Sequence, residues 1–505
     1  MASDLLFRDV AKTYGHHKVL RHVDLDIPAG SFVALMGANG AGKTTLLRLA
    51  AGLATPTKGQ VTLSGVDLQK AGPGLRRMIG FVSHDGLLYG DLTGRQNLLF
   101  HGRLFGVADP EARIEELADA LDLRKILDRP ASVLSRGNKQ RLTLARALMH
   151  GPEVLFLDEP FTGLDEASSS RLVALLRRLH ADGCTIVMTV HEAARAAEGA
   201  TRLVVIGEGG IAVDEPIVSA SELETVTAVE HALVGAGAST GGGSGSGSPA
   251  AYLVDEPAAD EPVDRLLTRP SLVTPPTRVH AAWLIALKDL RVEMRSRDAL
   301  TSAALFAVTV LVTASFTAMP GSNGQAISTG ILWISLLFAV LLGVGRSMTR
   351  ESNDRAMEGL LLSPAPRESI FIGKLVSGLA MMAAIEVFVV PMFLVLATGE
   401  AKESALDLPA LIAVVLLTTI GLVVIATLFS GIAVGSRLGE SLLPLIVMPV
   451  AIPLMIAAVE TTRRALGGDA GGSVDMFQWF ALLAGFDAVV GLAAIATFSF
   501  VVEDQ

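Results

Sequence analysis

The feature that most limits the fold of this chain is a series of six apolar runs in its second half. The runs lie at about 299–318, 328–347, 370–397, 407–434, 440–459 and 477–501. Each run reaches the roughly 20 residues that an α-helix needs to cross the hydrocarbon core of a membrane. Only 18% of the 505 residues are charged, whereas soluble domains carry about 25%. The pattern excludes a purely soluble enzyme and predicts an all-α, six-helix transmembrane domain over 299–505.

The net charge and the cysteine content exclude two further classes of protein. The formal net charge is −10 at pH 7, so the chain offers no basic surface and we expect no nucleic-acid partner. Cys184 is the single cysteine, which excludes an intrachain disulfide bond and a zinc site built from cysteines. Because an apolar run follows it directly, we expect a buried structural thiol.

The first half of the chain, residues 1–235, alternates short β-branched runs with helical patterns. This alternation is typical of an α/β domain with a largely parallel central sheet. The predicted strands are 32–36, 79–82, 154–157 and 185–189. The predicted helices are 43–53, 111–122, 136–149 and 166–181.

Between the two halves, the sequence predicts a linker and then an amphipathic helix. Residues 236–278 contain the Gly/Ser coil Gly241–Ser248 followed by acidic residues and prolines, a composition that cannot build a core. The coil is either natural or a cloned joint. The helix, at 279–298, either lies in the membrane interface or packs on other helices. The apolar residues on one of its faces are Trp283, Leu287, Leu290 and Met294.

The basic residues of the second half predict the orientation of the helices, because Lys and Arg are enriched on the cytosolic side of a membrane. One side carries Lys288, Arg291, Arg295, Arg297, Arg346, Arg350, Arg355, Arg367, Lys374 and Arg437. The other side carries Lys402, Arg463 and Arg464. The N-terminus lacks the apolar segment of a signal peptide. We expect a multi-pass membrane protein with both termini and the first half in the cytosol.

Residues 37–44, Gly-Ala-Asn-Gly-Ala-Gly-Lys-Thr, match the phosphate-binding P-loop and stand between a predicted strand and a predicted helix. Glycines in such a loop let backbone N–H groups surround phosphate oxygens, and the helix N-terminus adds partial positive charge. We expect Lys43 to contact the β- and γ-phosphates of ATP and Thr44 to hold Mg²⁺. The expected ATP-binding residues of this segment are Gly37, Asn39, Gly40, Gly42, Lys43, Thr44 and Thr45.

Two acidic residues, Asp158 and Glu159, follow the apolar strand predicted at 154–157. Asp158 is expected to hold Mg²⁺ together with Thr44. Glu159 is expected to orient or deprotonate the attacking water. The expected cofactors are therefore ATP and Mg²⁺, and the expected activity is ATP hydrolysis.

Ser135-Arg136-Gly137 opens a predicted helix between the P-loop and the acidic pair. With these three motifs the first half resembles the nucleotide-binding domain of ABC transporters. In that family the Ser and Gly of one copy cap the γ-phosphate held by the P-loop of another copy. The resemblance implies that Ser135 and Gly137 bind ATP in this way and that the chain forms a homodimer.

The same resemblance implies roles for further residues. Tyr14 resembles the aromatic residue that stacks on adenine, and the loop 161–165 resembles the one at which two copies meet. His191 resembles the histidine that touches the γ-phosphate and the catalytic Glu159.

Three positions depart from the usual family pattern. His84 stands where a Gln usually senses Mg²⁺ and water, and an imidazole can still form a hydrogen bond while its charge varies near neutral pH. Arg136 and Asn138 stand where Gly and Gln are usual, and Arg136 adds positive charge near a phosphate site. The expected catalytic set is Glu159, His191 and His84.

The second half adds candidates of its own. The charged segment 350–366 is expected to form a short amphipathic helix that docks near residues 84–100, with a solvated loop as the alternative. Glu386 and Asp487 lie inside apolar runs, where acidic residues are energetically expensive, so each is either functional or a structural hydrogen-bonding residue. Lys374 is expected to extend its amine to the membrane surface.

The stretch 358–364, Glu-Gly-Leu-Leu-Leu-Ser-Pro, together with the six runs, resembles CcmB, the haem-exporter membrane subunit of cytochrome c maturation. The first half resembles the partner ATPase CcmA, which often has His at the position of His84. The chain thus resembles a natural or engineered fusion of the two. The resemblance implies ATP-driven haem handling at the bacterial inner membrane, with haem as a substrate rather than a bound cofactor. It also implies three partners, namely a haem-handling membrane protein, a small helper membrane protein and a periplasmic haem chaperone.

The residues themselves argue against a haem pathway through this chain alone. After residue 278 the sequence has a single His, His280, and no Cys or Tyr, so only Met remains among the usual axial haem ligands. ATP hydrolysis is therefore expected either to export haem or, as these residues favour, to release a haem-loaded chaperone from a partner subunit. Two alternatives are an ABC-2-type exporter of a lipid, glycan or drug, and a membrane-tethered regulatory ATPase without a transported substrate.

Overall fold

A computed structural model describes most of the chain and divides it into two compact units. The described residues are 4–84, 86–190, 199–217, 269–316, 322–353, 355–397, 406–434, 442–467 and 475–503. One unit contains residues 1–86, 106–129 and 133–273, and the other contains 87–105, 130–132 and 274–505. Residues 87–105, which lie within the α/β half of the sequence, therefore belong to the same unit as the apolar helices.

A ten-stranded sheet forms the core of the first unit. Its strands are β1 (Leu5–Tyr14), β2 (His17–Ile27), β3 (Phe32–Gly37), β4 (Lys58–Leu63), β5 (Val66–Asp67), β6 (Ile79–Val82), β7 (Val154–Leu157), β8 (Thr185–Thr189), β9 (Arg202–Gly207) and β10 (Gly210–Pro216). Their order in the sheet is β5-β4-β1-β2-β10-β9-β3-β8-β7-β6. Because β9, β3, β8, β7 and β6 pair in parallel, the predicted parallel sheet is confirmed.

The antiparallel part of the sheet was not predicted. β1 pairs antiparallel with both β2 and β4, and the residues of β1 and β4 are a mixture of buried, partly exposed and exposed. By contrast, every residue of β3, β6, β7 and β8 is buried. Strands buried on both faces appear as continuous apolar runs, which explains why sequence patterning found these four.

Helices separate several of the strands along the first half of the chain. In chain order they are α1 (Lys43–Ala50), α2 (Pro73–Arg76), α3 (Gly94–Phe105), α4 (Pro110–Ala120), α5 (Arg136–Leu148) and α6 (Glu166–Ala181), of which α3 belongs to the second unit. The four predicted helices are confirmed, with ends shifted by a few residues. Asp109 and Asp165 cap α4 and α6, accepting hydrogen bonds from Ala112 N at 3.0 Å and Ser168 N at 2.7 Å.

Residues 269–273, near the end of the predicted linker 236–278, form a hydrogen-bonded strap on the first unit. Ala108 N donates to Ser271 O at 3.0 Å, and Val273 N donates to Gly106 O at 2.9 Å. Arg77 adds a bond from Nη2 to Val273 O at 2.7 Å. Residues 236–268 of the predicted linker lie outside the described part of the chain.

Besides α3, the described part of the second unit consists of long helices and one helix of seven residues. They are α7 (Arg278–Ser296), α8 (Asp298–Ser315), α9 (Ser322–Asn353), α10 (Ala356–Leu362), α11 (Arg367–Ala397), α12 (Leu408–Val434), α13 (Leu442–Ala465) and α14 (Met476–Glu503). Within the described residues, six helices are long and apolar enough to cross a membrane, namely α8, α9 and α11–α14. The six predicted spans are thus confirmed as helices. α9 extends beyond its predicted end, because it continues through Glu351, which is buried.

The core of the second unit combines small residues with one polar anchor. Ala299, Ala303 and Ala307 repeat every fourth position of α8 and are fully buried, which allows close helix packing. Trp333 on α9 is fully buried, and its Nε1 donates to Thr462 Oγ1 on α13 at 2.9 Å. This hydrogen bond satisfies the indole within the apolar core.

The α7 helix confirms the predicted element at 279–298 and has two different faces. Trp283 and Met294 are exposed, as expected of the apolar face. The opposite face is buried against α11, where a Cβ on Gly373 would lie only 2.8 Å from Ala282 O. The same buried side carries Lys288, one of the basic residues counted for the predicted cytosolic side.

Candidate functional site

The P-loop connects β3 to α1 through glycines that no other residue could replace without strain. Gly37, Gly40 and Gly42 have φ of 144°, 84° and 105°. A Cβ on Gly37 would lie 2.4 Å from Ile206 O, and one on Gly42 would lie 2.7 Å from Leu20 Cδ2. The glycines therefore keep the loop open at the N-terminus of α1, where backbone N–H groups and the helix dipole fit a phosphate group.

The P-loop segment also carries the polar residues that the motif predicts. Lys43 is buried, and its Nζ donates to Gly37 O and, at 3.1 Å, to Ala38 O. These carbonyls hold the amine against the loop. Asn39 and Thr44 are exposed and Thr45 is half-buried, so the segment brings together the phosphate-binding residues expected from the motif.

The acidic pair at the end of β7 is linked by a residue that sequence reasoning missed. Thr189, the last residue of β8, donates from Oγ1 to Asp158 Oδ1 at 2.9 Å. The same Oγ1 accepts a hydrogen bond from Glu159 N at 2.7 Å. Thr162 Oγ1 donates to Glu159 Oε2 at 3.2 Å. Because β7 and β8 are neighbours in the parallel sheet, pairing these two predicted strands could have placed Thr189 beside the acids.

Glu159 also has an unusual backbone. Its φ is 50°, a left-handed conformation that costs a residue with a side chain about 1–2 kcal/mol. Such strain is concentrated at functional sites. Here it sets the carboxylate of Glu159 apart from that of Asp158, which is buried at the strand end.

The Ser135–Gly137 turn starts α5 and packs on the loop 161–165. Ser135 is exposed and accepts a hydrogen bond from Asn138 N at 3.4 Å. A Cβ on Gly137 would lie 3.0 Å from Gly163 O. The turn therefore requires a small residue at position 137, and it presents Ser135 to solvent at the N-terminus of a helix.

Two of the departures from the family pattern contact each other. His84 and Arg136 lie 52 positions apart, yet Arg136 Nη2 is 3.2 Å from His84 Nε2. A neutral imidazole can accept this hydrogen bond, whereas a protonated one would repel the guanidinium. Asn138, the third departure, accepts from Arg141 Nη2, and so supports the first turn of α5.

The remaining expected residues of the first unit are placed as follows. The ring of Tyr14 is about half exposed, with Lys12 Nζ 4.8 Å from its centroid. His191 lies outside the described residues. Cys184 is buried as expected, and burial raises the pKa of its thiol to about 12, so this thiol is unreactive at neutral pH.

The second unit contains a buried cluster of four charged residues, which we call the charge cluster: Lys288, Asp289, Glu351 and Lys374. Lys288 Nζ lies 2.6 Å from Asp289 Oδ1 and also pairs with Glu351. Lys374 Nζ lies 3.2 Å from Asp289 Oδ2 and 2.7 Å from Glu351 Oε2. The expectation that Lys374 extends to the membrane surface is therefore wrong, because its amine is buried between two carboxylates.

The charges of the α7 residues in this cluster are supported by their neighbours. Burial opposes ionisation of Lys288, but the carboxylates of Asp289 and Glu351 outweigh it and raise the pKa of Lys288. Burial likewise opposes ionisation of Asp289, and the amines of Lys288 and Lys374 nevertheless lower the pKa of Asp289. Both residues are thus held charged.

The segment before α3 reaches the charge cluster through Tyr89. Lys288 Nζ lies 4.1 Å from the centroid of the buried Tyr89 ring. Asn97 is fully buried and holds this segment, since its Oδ1 accepts from Tyr89 N at 2.8 Å and its Nδ2 donates to Tyr89 O at 3.0 Å. Arg295 Nη1 adds a bond to Asp91 O at 3.1 Å.

The predicted docking of 350–366 near 84–100 is confirmed within the second unit. One apolar cluster joins Tyr89, Leu92 and Phe100 to Ala356 and Leu360 of α10. α10 is the short helix that the sequence predicted, and the alternative of a solvated loop is excluded.

The two intramembrane acids lie beside α12. Glu386 is buried and accepts a hydrogen bond from Thr419 Oγ1. Asp487 is partly buried, and a Cβ on Gly421 of α12 would lie 2.3 Å from Asp487 Oδ1. Glu386 therefore has a structural partner on a neighbouring helix.

With this geometry in place, the P-loop, the acidic pair and the sheet define an ATP-binding domain of the ABC type. The ABC transporter family model matches residues 20–162, and the CcmB protein family model matches residues 280–502. The chain belongs to the ABC transporter family, as an ABC ATPase domain joined to a CcmB-type membrane domain in one polypeptide.

Characterised relatives match the first half. The sulfate/thiosulfate import ATP-binding protein CysA of Thermosynechococcus vestitus is 42% identical over 210 residues, which are 41% of this chain and 62% of that protein. CysA of Mycobacterium tuberculosis strain H37Rv is 40% identical, covering 42% of this chain and 61% of that protein. The chain thus spans about three fifths of the length of these relatives.

One further relative and one solved structure are also similar to part of this chain. The Nod factor export ATP-binding protein I of Burkholderia orbicola is 40% identical over 205 residues, covering 40% of this chain and 67% of that protein. A solved dimeric structure of the ATP-binding cassette MJ0796 in a post-hydrolysis state, bound to ADP and Pi, is 28% identical. It covers 43% of this chain and 99% of that one, with a TM-score of 0.40.

Proposed function

We propose that this chain is an ATP-driven membrane machine in which a cytosolic ABC ATPase domain drives conformational change in six membrane helices of the same polypeptide. The observation that carries the proposal is the membership of residues 87–105 in the helical unit. These residues follow His84 in the ATPase half, yet they pack with α7, α10 and α11. The chain between β6 and α4 therefore contributes a segment to the helical unit.

The residues of the ATP site have separate roles in this proposal. Lys43 neutralises the β- and γ-phosphates of ATP, and Thr44 and Asp158 would hold Mg²⁺, which would balance phosphate charge. Glu159 accepts the proton of the attacking water or orients it. His191 and His84 are proposed to position the γ-phosphate and this water, and Tyr14 to stack on adenine.

A homodimer would complete the site. Ser135 is exposed at the start of α5, so its hydroxyl and the N–H groups of the first turn are available to a phosphate bound to a second copy. Ser135 and Gly137 of one copy would then seal the P-loop of the other. ATP would bring the two ATPase domains together, and hydrolysis would separate them.

For the finer function we propose haem handling in cytochrome c maturation at the bacterial inner membrane, with both termini cytosolic. Support comes from the CcmB match over residues 280–502. After residue 278 the only His is His280, which lies in the exposed first turn of α7. Because the membrane domain is poor in haem ligands, we propose that hydrolysis releases a haem-loaded chaperone from a partner subunit.

A pull-down from native membranes tests this function. The wild-type chain should retain a haem-containing companion protein without ATP and release haem-loaded chaperone when ATP is added. The Glu159→Gln variant should bind ATP, hold a closed dimer and release nothing, because the proton acceptor is lost. Haem bound stoichiometrically to this chain alone would contradict the release mechanism.

A second candidate function is export of a lipid, glycan or drug. The match to a Nod factor export protein favours export by a related ATPase domain. ATP hydrolysis by the chain in nanodiscs, measured with and without added lipid or drug, separates the two candidates. Stimulation without any companion protein would support export, whereas stimulation only with the haem-handling companion would support the first candidate.

A further inference from the structure

The charge cluster joins three helices that are separated from one another in the sequence. Lys288 and Asp289 lie on α7, Glu351 on α9 and Lys374 on α11, and each is at least nine-tenths buried. Two amines balance two carboxylates, so the cluster is neutral as a whole. Burying ions is costly, and such a cluster does not stabilise a fold more than apolar residues would. What the cluster provides instead is a defined geometry, because each charged group has specific partners on other helices.

Tyr89 supplies a further side of this cluster. Lys288 Nζ faces the Tyr89 ring at 4.1 Å and the Phe100 ring at 5.8 Å. The negative face of an aromatic ring attracts an ammonium group, and the attraction is stronger where the group is desolvated. Lys288 is therefore bound on one side by carboxylates from the helices and on the other by rings from residues 87–105.

The Tyr89 segment is held firmly enough to transmit a displacement. Asn97 Nδ2 also donates to Leu92 O at 3.3 Å and to Thr93 O at 3.0 Å. Arg295 Nη1 donates to Gln96 Oε1 at 3.2 Å. The backbone from Tyr89 to the first turn of α3 is thus fixed by side-chain hydrogen bonds, and this segment follows closely in sequence after His84, the position expected to sense Mg²⁺ and water.

We propose that Tyr89 and Lys288 are positioning residues through which the state of the ATP site is transmitted to α9 and α11. Displacement of the Tyr89 segment moves Lys288 and so alters its pairing with Glu351, a carboxylate that also pairs with Lys374. This inference rests on the proposed ATP-driven function. It concerns two specific side chains, neither of which is placed in the ATP site.

A cavity beside the cluster leaves room for such a movement. It has a volume of about 60 Å³, enough for several water molecules. Its lining includes Tyr89, Asp289, Gly343, Ser347 and Ser377. Side chains of the cluster can therefore shift into this space without overlapping apolar packing.

The test uses the full chain in nanodiscs with the Glu159→Gln change as background and hydrogen–deuterium exchange as the readout. In that background, ATP should change exchange in P-loop peptides and in peptides covering 343–381. Adding Tyr89→Leu should keep the first change and abolish the second. Adding Tyr89→Phe, which keeps the aromatic face, should preserve both changes and is the matched control.

A second variant addresses the cluster without leaving an unpaired charge. Lys288→Met combined with Glu351→Gln removes one charge of each sign and keeps the Lys374–Asp289 pair. It should also abolish the ATP-dependent change over 343–381. In the Glu159 form, Tyr89→Leu should hydrolyse ATP at the basal rate, because the nucleotide site is intact.

The outcomes separate the inference from the proposed function. If 343–381 still responds to ATP in both the Tyr89→Leu and the Lys288→Met/Glu351→Gln proteins, the transmitting role of these residues is wrong. If ATP changes the P-loop but never 343–381 in the Glu159→Gln background itself, ATP-driven movement of the helices is wrong.

Discussion

Thr189 Oγ1 bridges the two acidic residues of the ATP site, donating to Asp158 Oδ1 at 2.9 Å and accepting from Glu159 N at 2.7 Å. The hydroxyl fixes the peptide between the two carboxylates, so one residue of β8 controls the geometry of both acids.

Replacement of Thr189 by Val should therefore slow ATP hydrolysis about tenfold, since the loss of a buried hydrogen bond of this kind costs about 1–3 kcal/mol. Val keeps the shape and β-branching of Thr. Thr189→Ser, which keeps the hydroxyl, should retain most of the activity. Steady-state ATPase assays of the three proteins check this, and equal rates for Val and Ser would contradict the bridging role.

Replacement of Gly37 by Ala should abolish ATP binding and lower the melting temperature. The new Cβ would lie 2.4 Å from the backbone oxygen Ile206 O, which cannot move without distorting β9. Gly40→Ala is the matched control, because Gly40 also has positive φ, at 84°, but nothing lies within 4 Å of its Cβ position. The control should cost only the conformational strain of about 1–2 kcal/mol.

Thermal unfolding of both variants without ATP, and the shift of the melting temperature with ATP, measure the two effects. A Gly37→Ala protein as stable as Gly40→Ala would show that the contact with Ile206 O is not restrictive.

His150 should make the first unit less stable in mild acid. Its Nε2 donates to Ile79 O at 3.0 Å, and burial, with Arg146 and Arg113 nearby, lowers the pKa of His150 to about 3. The unfolded chain binds the proton near pH 6.5 while the folded chain does not. The contribution of neutral His150 to the free energy of unfolding is therefore fully present above pH 6.5. It is lost as the pH falls towards 3, by about 1.4 kcal/mol per pH unit.

Native-state hydrogen exchange of the β6 amides at pH 7 and pH 5, corrected for the intrinsic rate, measures this loss. His150→Gln should be less stable at pH 7 but should show a smaller difference between the two pH values. An unchanged difference would mean that another group is responsible.

Replacement of Asn97 by Leu should loosen the Tyr89 segment without affecting the P-loop. Asn97 makes its hydrogen bonds to Tyr89, Leu92 and Thr93 in full burial. Leu cannot accept the hydrogen bond from Tyr89 N, a loss of about 1–3 kcal/mol for a buried group, whereas the carbonyls of Tyr89, Leu92 and Thr93 also accept from backbone N–H groups. Exchange at Tyr89 N should accelerate, whereas exchange in α1 should stay unchanged; equal protection at Tyr89 N in both proteins would contradict this role.

The parts of the molecule that sequence reasoning predicted are those encoded by neighbouring residues. The P-loop is contiguous, and glycines at 37, 40 and 42 specify its backbone. The buried strands and the six long helices follow from uninterrupted apolar runs.

The parts that it missed depend on residues distant in sequence. Lys288 and Lys374 each look like surface cations when considered alone, and Glu351 looks like part of a charged loop. Only the packing of α7, α9 and α11 brings them together. Thr189 is likewise an ordinary strand residue until β8 pairs with β7.

The hydrogen bond between Trp333 and Thr462 has a practical consequence. The chain has three tryptophans, and Trp283, Trp333 and Trp479 all belong to the helical unit. Indole emission, excited selectively in the unlabelled protein, therefore originates entirely outside the nucleotide-binding half. A spectral change that accompanies ATP addition would be an optical signal from the helical unit, and breakage of the bond to Thr462 would be a natural source of it.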